Sequence, residues 1–317
     1  MERLRGSWRG IIAAGCAGVL VVSGIVSAAN GSAGGSSGLT VRAAEFNWTA
    51  AAVTNAILAD IVKSHTNLGV SQIVSTPLDP AAAWAGGARG NVDLLTEVAL
   101  PNQQLLADKA KSKVKLVSET YGNAAQGWFV PAYAVQAGGQ AAGLKSITQL
   151  NQFTNVLGGR LIDGDPGWVT TQQNTARLKA YALNYQDVPA GAAAEIGQLV
   201  RSYSRKQPIL IYLYQPHWVF AKYKLVQLQE PNAYKPGCFT GPDQKCAIPT
   251  LSAWIAASDK VAKGAPKFYA MLRRVRISLT DMERMLEQID VEKKAAGDVA
   301  QQWLTAHKAQ IDGWIRG

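Results

Sequence analysis

Arg160-Leu-Ile-Asp-Gly-Asp-Pro-Gly-Trp-Val-Thr170 reads as a strand turned sharply into a helix. Leu161 and Ile162 make Arg160–Asp163 a short apolar strand, Gly164–Gly167 breaks it, and Gln172–Tyr181 has helical character. Comparable units lie on both sides. Upstream, Leu39–Ala43 alternates as a strand and Ala50–Lys63 follows as a helix, with Thr49 as its N-cap. Val70–Ser75 is the next strand, Gly90–Thr96 a turn into a third, and Gln103–Lys111 a helix. Gly127–Tyr133 is a short apolar strand, Gly138–Gly143 a loop, and Ser146–Phe153 a short helix capped by Ser146. Downstream come a helix over Ala192–Arg205, a buried strand over Pro208–Tyr214 and an alternating strand over Tyr223–Gln229. Helices are expected to dominate after that, over Thr250–Ala262, Lys267–Arg274, Asp281–Glu292 and Ala296–Trp314. Strands alternating with helices predict an α/β fold.

The N-terminus carries the pattern of an export signal. Arg3, Arg5 and Arg9 precede an uncharged apolar run over Ile11–Val26, and small residues at Val26–Ala29 offer a cleavage site. Residues 1–28 are therefore read as a signal peptide, with a membrane anchor or lipidation at Cys16 as alternatives. Residues 29–38 form a flexible Gly/Ser spacer. No second long apolar segment follows, so a soluble mature protein is expected. Cys238 and Cys246 remain after cleavage, in a turn-rich loop, and an oxidising compartment predicts a disulfide between them. His65, His217 and His307 have no metal-ligand spacing. With 48% hydrophobic and 17% charged residues, the chain is not intrinsically disordered. The net charge of +10 is scattered and has no nucleic-acid motif around it, so nucleic acid is excluded as a partner.

Three tryptophans sit where glycine or proline breaks regular structure: Trp128 in Gly127–Pro131, Trp168 after Pro166-Gly167, and Trp218 after Pro216-His217. Aromatics held in stiff loops suit a cleft, and several indoles converging there would cage a cation lacking N–H donors. Trp168 and the N–H groups of Val169, Thr170 and their neighbours also start a helix, which suits an anion. The other reading is an ordinary βα turn whose Trp packs on a neighbour. Tyr214, His217 and Trp218 follow the carboxyl end of a buried strand, where open α/β sheets bind ligands; packing and a structural hydrogen bond are the alternative roles of Trp218 and His217. Trp48 lies at a further strand-to-helix turn, and Glu97 is read as either a cleft carboxylate or a surface charge. Trp254, Trp303 and Trp314 fall at helical positions and are expected to pack in the core. No hydrolase, zinc-protease, nucleotide-loop or dinucleotide motif is present in the sequence.

The segments GWFVPAY, DGDPGW, YQPHWVFAKYKLVQLQEP and WLTAHKAQIDGWI, in this order and behind an exported leader, resemble the glycine-betaine/proline-betaine type of substrate-binding protein of ABC transporters. The likeness runs over roughly residues 40–317. It implies a bilobed, type II periplasmic-binding-protein-like fold: two α/β lobes with a ligand cleft between them, lobe one over 39–135 and 231–317, lobe two over 136–230. It further implies an aromatic cage for a quaternary ammonium, with Trp48, Trp128, Trp168, His217 and Trp218 carried over by motif, and backbone donors for the ligand carboxylate. Two positions depart from the family pattern. Glu97-Val98-Ala99-Leu100-Pro101 stands where the family commonly has Glu-x-Trp-x-Pro, and Tyr214 stands where it commonly has Trp.

The expected function is that of an extracytoplasmic, non-enzymatic, monomeric binding protein. It would need no cofactor and would hand glycine betaine or a related osmoprotectant to an ABC permease from the periplasm. Choline, carnitine, an amino acid or another organic cation is the alternative ligand class. An exported enzyme using Asp163 or Glu97 with His217, and a sensory protein that has lost transport, are the remaining alternatives.

Overall fold

The computed structural model describes residues 38–316. The expected signal peptide, Cys16 and all but the last residue of the spacer lie outside the described residues.

Ten strands form two five-stranded sheets with matching layouts. The first contains β1 (Leu39–Glu45), β2 (Val70–Pro77), β3 (Leu94–Leu100), β4 (Val114–Ala124) and β10 (Leu251–Ser258), in the order β2-β1-β3-β10-β4. The second contains β5 (Gln126–Pro131), β6 (Arg160–Asp163), β7 (Gln186–Pro189), β8 (Leu210–Tyr214) and β9 (Leu225–Gln227), in the order β7-β6-β8-β5-β9. In each sheet the first three strands run parallel and the last two join antiparallel. Helices α1 (Thr49–Ser64), α2 (Pro80–Ala88) and α3 (Gln104–Ala110) belong to the first lobe. So do α8 (Asp259–Gly264), α9 (Pro266–Leu272), α10 (Leu279–Asp290), α11 (Ala296–Ala306) and α12 (Lys308–Arg316). Helices α4 (Ala132–Val135), α5 (Val169–Ala180), α6 (Ala192–Ser204) and α7 (Val219–Lys222) belong to the second.

Side-chain alternation along the central strands covers both faces of each sheet. Val41, Leu94 and Ile255 join one core cluster of lobe one, while Ala44, Leu95 and Ala256 join the other. In lobe two, Leu161, Leu210 and Tyr212 point to one cluster and Ile162, Ile211 and Leu213 to the opposite one. This burial on both faces explains why Leu210–Tyr214 is an unbroken apolar run.

The segment around the deciding stretch matches expectation at Arg160–Asp163, but its helix starts at Val169, earlier than Gln172. Thr49 does not cap α1. Trp48 occupies the cap without a side-chain bond, and the Thr49 hydroxyl donates instead to Asp290 (2.7 Å). The cap of Ser146 is present, on a 3-10 helix over Ile147–Phe153. The helix expected over Thr250–Ala262 is present only from Asp259, as α8; before it lies β10, and Trp254 is on that strand, half-buried, not on a helix. Its alanine-rich sequence favours helix locally, yet it is flanked on both sides by β3 and β4, and the ladders decide. The final helix is two, broken at His307, with Trp303 and Trp314 buried in them.

The chain crosses between sheets at Ala125, because β5 pairs with β8 and β9 and not with the first sheet, where a lobe boundary at 135 had placed it. The return lies near Pro249, since Ile248 still packs in the lobe-two core and β10 begins at Leu251. Gln126 ties the two crossings together. Its amide donates to Pro249 O (2.7 Å) and Asn102 Oδ1 (3.1 Å), and its Oε1 accepts from Asn102 (3.0 Å) and the Tyr212 hydroxyl (2.8 Å). Cys238 and Cys246 form the expected disulfide in the loop before the return.

Candidate functional site

A cavity of about 620 Å³ is lined from both lobes. Lobe one contributes the start of α1, the end of β3, Tyr121 of β4 and Asp290 of α10. Lobe two contributes the starts of α5 and α6 and the segment Tyr214–Trp218. The starts of α1, α5 and α6 and the segment Tyr214–Trp218 follow the carboxyl ends of β1, β6, β7 and β8, where parallel sheets present their loops.

The aromatic wall is built on Trp168. Its ring meets Trp48 edge to face at 5.9 Å and Tyr214 edge to face at 5.4 Å, and His217 lies edge-on to Tyr214 at 6.1 Å. Trp48 is backed by Phe46, stacked at 4.5 Å. The Trp168 indole N–H donates across the cleft to Asn47 Oδ1 (2.8 Å), so a lobe-one residue fixes the orientation of a lobe-two ring. On its other face Trp168 needs Gly164: a Cβ there would come closer than 3 Å to Cε3 and Cζ3 of the ring. The glycine of the Gly164–Gly167 turn is thus a packing requirement of the tryptophan four residues on.

Three helix N-termini open on the same cavity. α1, α5 and α6 start at Thr49, Val169 and Ala192, each without a side-chain cap. Their first N–H groups have no intrahelical acceptor and add partial positive charge. The anion site is narrower than the run of N–H groups around Val169 and Thr170 suggested. Trp168 N–H is taken by Asp165 O (3.0 Å), Thr171 Oγ1 donates to the same carbonyl (2.8 Å), and Gln172 N–H bonds back to Trp168 O. Of the lining residues, Val169 and Thr170 remain as donors.

Charged side chains in the lining divide by depth. Arg201 and Lys293 are exposed, whereas Glu97 is buried and Asp290 half-buried. Burial pushes the Glu97 carboxyl up to about 7, against the lowering effect of hydrogen bonds from Tyr121 and Thr54. Burial also raises Asp290, which accepts from Thr49. His217 is pushed down to about 4 by burial, and its Nδ1 accepts from Val219 N–H (3.3 Å), which leaves it neutral and structural at pH 7.

Of the residues expected at the site, Trp48, Glu97, Trp168, Val169, Thr170, Tyr214, His217 and Trp218 line the cavity. Trp128 does not. It sits fully buried at the centre of β5, its indole N–H bonded to Asn174 (2.8 Å) and its ring covered by the Arg177 guanidinium at 4.3 Å. The strand expected over Gly127–Tyr133 is present as β5, between β8 and β9, but the glycine and proline beside Trp128 do not bring it to the cleft, and the tryptophan belongs to the lobe-two core. The cavity adds Tyr121, Asn47 and Asp290, which sequence reasoning had not singled out. Ala99 lies in the wall, where the family pattern has an indole and this chain has a methyl group.

A profile of the substrate-binding domain of ABC-type glycine betaine transport systems matches residues 39–306. The glycine betaine-binding periplasmic protein OusX of Dickeya dadantii is 26% identical over 200 residues, which is 53% of this chain and 59% of that protein. The chain therefore matches little more than half the length of this curated relative. Among solved structures, lactococcal OpuAC in its closed, glycine betaine-bound form superposes with a TM-score of 0.72 at 23% identity, covering 87% of this chain and 99% of that one. An ABC-transporter choline-binding protein in complex with choline gives a TM-score of 0.72 at 17% identity, covering 87% and 91%. At these identities the superpositions establish a shared fold.

Proposed function

The chain belongs to the family of substrate-binding domains of ABC-type glycine betaine transport systems, and on that premise we propose that its cavity captures a small quaternary ammonium compound, glycine betaine first, for delivery to an ABC permease from the extracytoplasmic side. The observation that carries this reading is the Trp48–Trp168–Tyr214 wall standing beside the uncapped starts of α5 and α6. A methylated nitrogen has no N–H to donate, so it suits π faces where a plain ammonium would leave donors unmet. Each face contributes about 0.5–2 kcal/mol. The ligand's carboxylate would meet the N–H groups of Val169 and Thr170 and the positive ends of the helices.

The wall of this cavity also holds two carboxyls, Glu97 and Asp290, which favours a second ligand class: a quaternary ammonium without its own carboxylate, such as choline. Two of the three groups of the enzyme alternative have other partners: His217 accepts from Val219 N–H, and Asp163 accepts from Asn174 in the lobe-two core. Isothermal titration with glycine betaine, proline betaine, choline and carnitine tests the proposal. Binding of at least one quaternary compound that is lost in Trp168→Ala, with the fold intact, is the expected result. Equal binding by the variant would contradict the cage.

A further inference from the structure

Glu97 is a buried carboxyl in the cavity wall with no cationic partner. It lies in β3 with φ of 56°, a left-handed conformation that costs a non-glycine residue about 1–3 kcal/mol and persists where the surroundings demand it. From α1 the Thr54 hydroxyl donates to Oε1 (3.0 Å), and from β4 the Tyr121 hydroxyl donates to Oε2. The other titratable groups around it are Tyr214 of β8, Asp290 of α10 and His217 after β8, with Arg201 and Lys293 exposed at the rim. None of the ion pairs among the described residues includes Glu97. Two donors favour the ionised form, burial opposes it, and the carboxyl is left close to balance near neutral pH. A fixed positive charge arriving in the cavity decides that balance.

We propose that Glu97 is the counter-charge for the ligand's nitrogen, so that capture of a quaternary ammonium expels the proton this carboxyl carries in the empty cavity. The step breaks the Glu97 O–H bond, leaves the electron pair on the carboxylate and passes the proton to buffer. It rests on the proposed function, since it needs a cationic nitrogen in the cage. The sign follows from linkage: the empty site binds the proton, the filled site does not, and affinity for the cation rises as pH climbs through the titration of the empty form. With that titration centred at about 7, affinity gains about tenfold between pH 6 and pH 8, and about one proton leaves per ligand at pH 6. His217, pushed down to about 4, does not titrate in this window.

The test is isothermal titration of the protein with glycine betaine and with choline at pH 6, in phosphate and in MES, which differ in ionisation enthalpy, and again at pH 8. The expected result is a buffer-dependent heat equal to about one proton released, with the tenfold gain in affinity. Glu97→Gln should bind more weakly and lose both effects. Equal heats in the two buffers and the same affinity at both pH values would overturn the inference while leaving the proposed function standing; this comparison needs no variant to fold. Proton release that survives in Glu97→Gln and disappears in Asp290→Asn would also overturn it. Failure of both ligands to bind at pH 8 would sink the proposed function and this inference together.

Discussion

Gly164→Ala is the most specific perturbation of the aromatic wall, because it adds one methyl group and touches the cavity only through Trp168. Gly164 is not at a positive φ, so alanine fits the backbone, and its carbonyl still accepts from Ala190 and Gly191. The new Cβ, however, would come closer than 3 Å to two ring carbons of Trp168. Carbon–carbon contacts settle at about 3.5–4.0 Å, so the ring must retreat by about 1 Å. That movement stretches the 2.8 Å bond to Asn47 and spoils the edge-to-face contacts with Trp48 and Tyr214. The lost hydrogen bond costs about 1 kcal/mol. The two aromatic contacts cost about 0.5–1.5 kcal/mol each if wholly lost. These losses, about 2–4 kcal/mol together, fall on the stability of the folded wall; the ligand loses at most one π face, so affinity should fall by about 0.5–2 kcal/mol, or about 2- to 30-fold. Isothermal titration measures that fall, and urea denaturation shows whether overpacking alone, at about 1–3 kcal/mol, has unfolded the protein. A folded Gly164→Ala protein that binds quaternary ammonium with unchanged affinity would refute the placement of Trp168 in the wall.

Gln126→Ala removes the side chain that ties the two crossings and leaves the Tyr212 hydroxyl and Asn102 without their partner; urea denaturation should show a loss of about 2–4 kcal/mol, and a loss below 0.5 kcal/mol would contradict the role of Gln126. Arg177→Ala strips a fully buried guanidinium from Trp128, Asn174 and Glu230, leaving the half-buried Glu230 without its ion-pair partner. The expected destabilisation is about 3–5 kcal/mol by the same assay, and an effect under 1 kcal/mol would show that the pair is not structural.

The βα unit at 160–180 was legible because strand, breaker and helix each carry their own local signal, and four of the six Trp and Tyr residues lining the cavity (Trp48, Trp168, Tyr214 and Trp218) could be found at such junctions. β10 was not legible. Leu251–Ser258 is rich in alanine, buried on both faces and without clean alternation, and only its pairing with β3 and β4 makes it a strand. β4 was missed for the opposite reason: its middle is polar, with Ser118, Glu119 and Thr120, and its burial comes from neighbours. Missing β4 meant missing Tyr121, whose relevance depends on Glu97 in a strand separated from it by β10. Trp128 shows the converse error. Gly127 and Pro131 both lie within β5, so a glycine and a proline beside an aromatic do not by themselves lift it out of a strand and into a cleft. Glycine at 164 had a visible turn signal, but its contact with Trp168 is tertiary and could not be read from spacing.

The central claim is that this cavity recognises a quaternary nitrogen through its charge against aromatic faces. Glycine betaine and 3,3-dimethylbutanoate have nearly the same shape and both carry a carboxylate, but only the first has a positive nitrogen. Titrating the protein with both at pH 8 separates charge recognition from simple apolar fit. Three faces at about 0.5–2 kcal/mol each predict that the neutral-carbon analogue binds about tenfold or more weakly. Equal affinity for the two compounds would contradict the account.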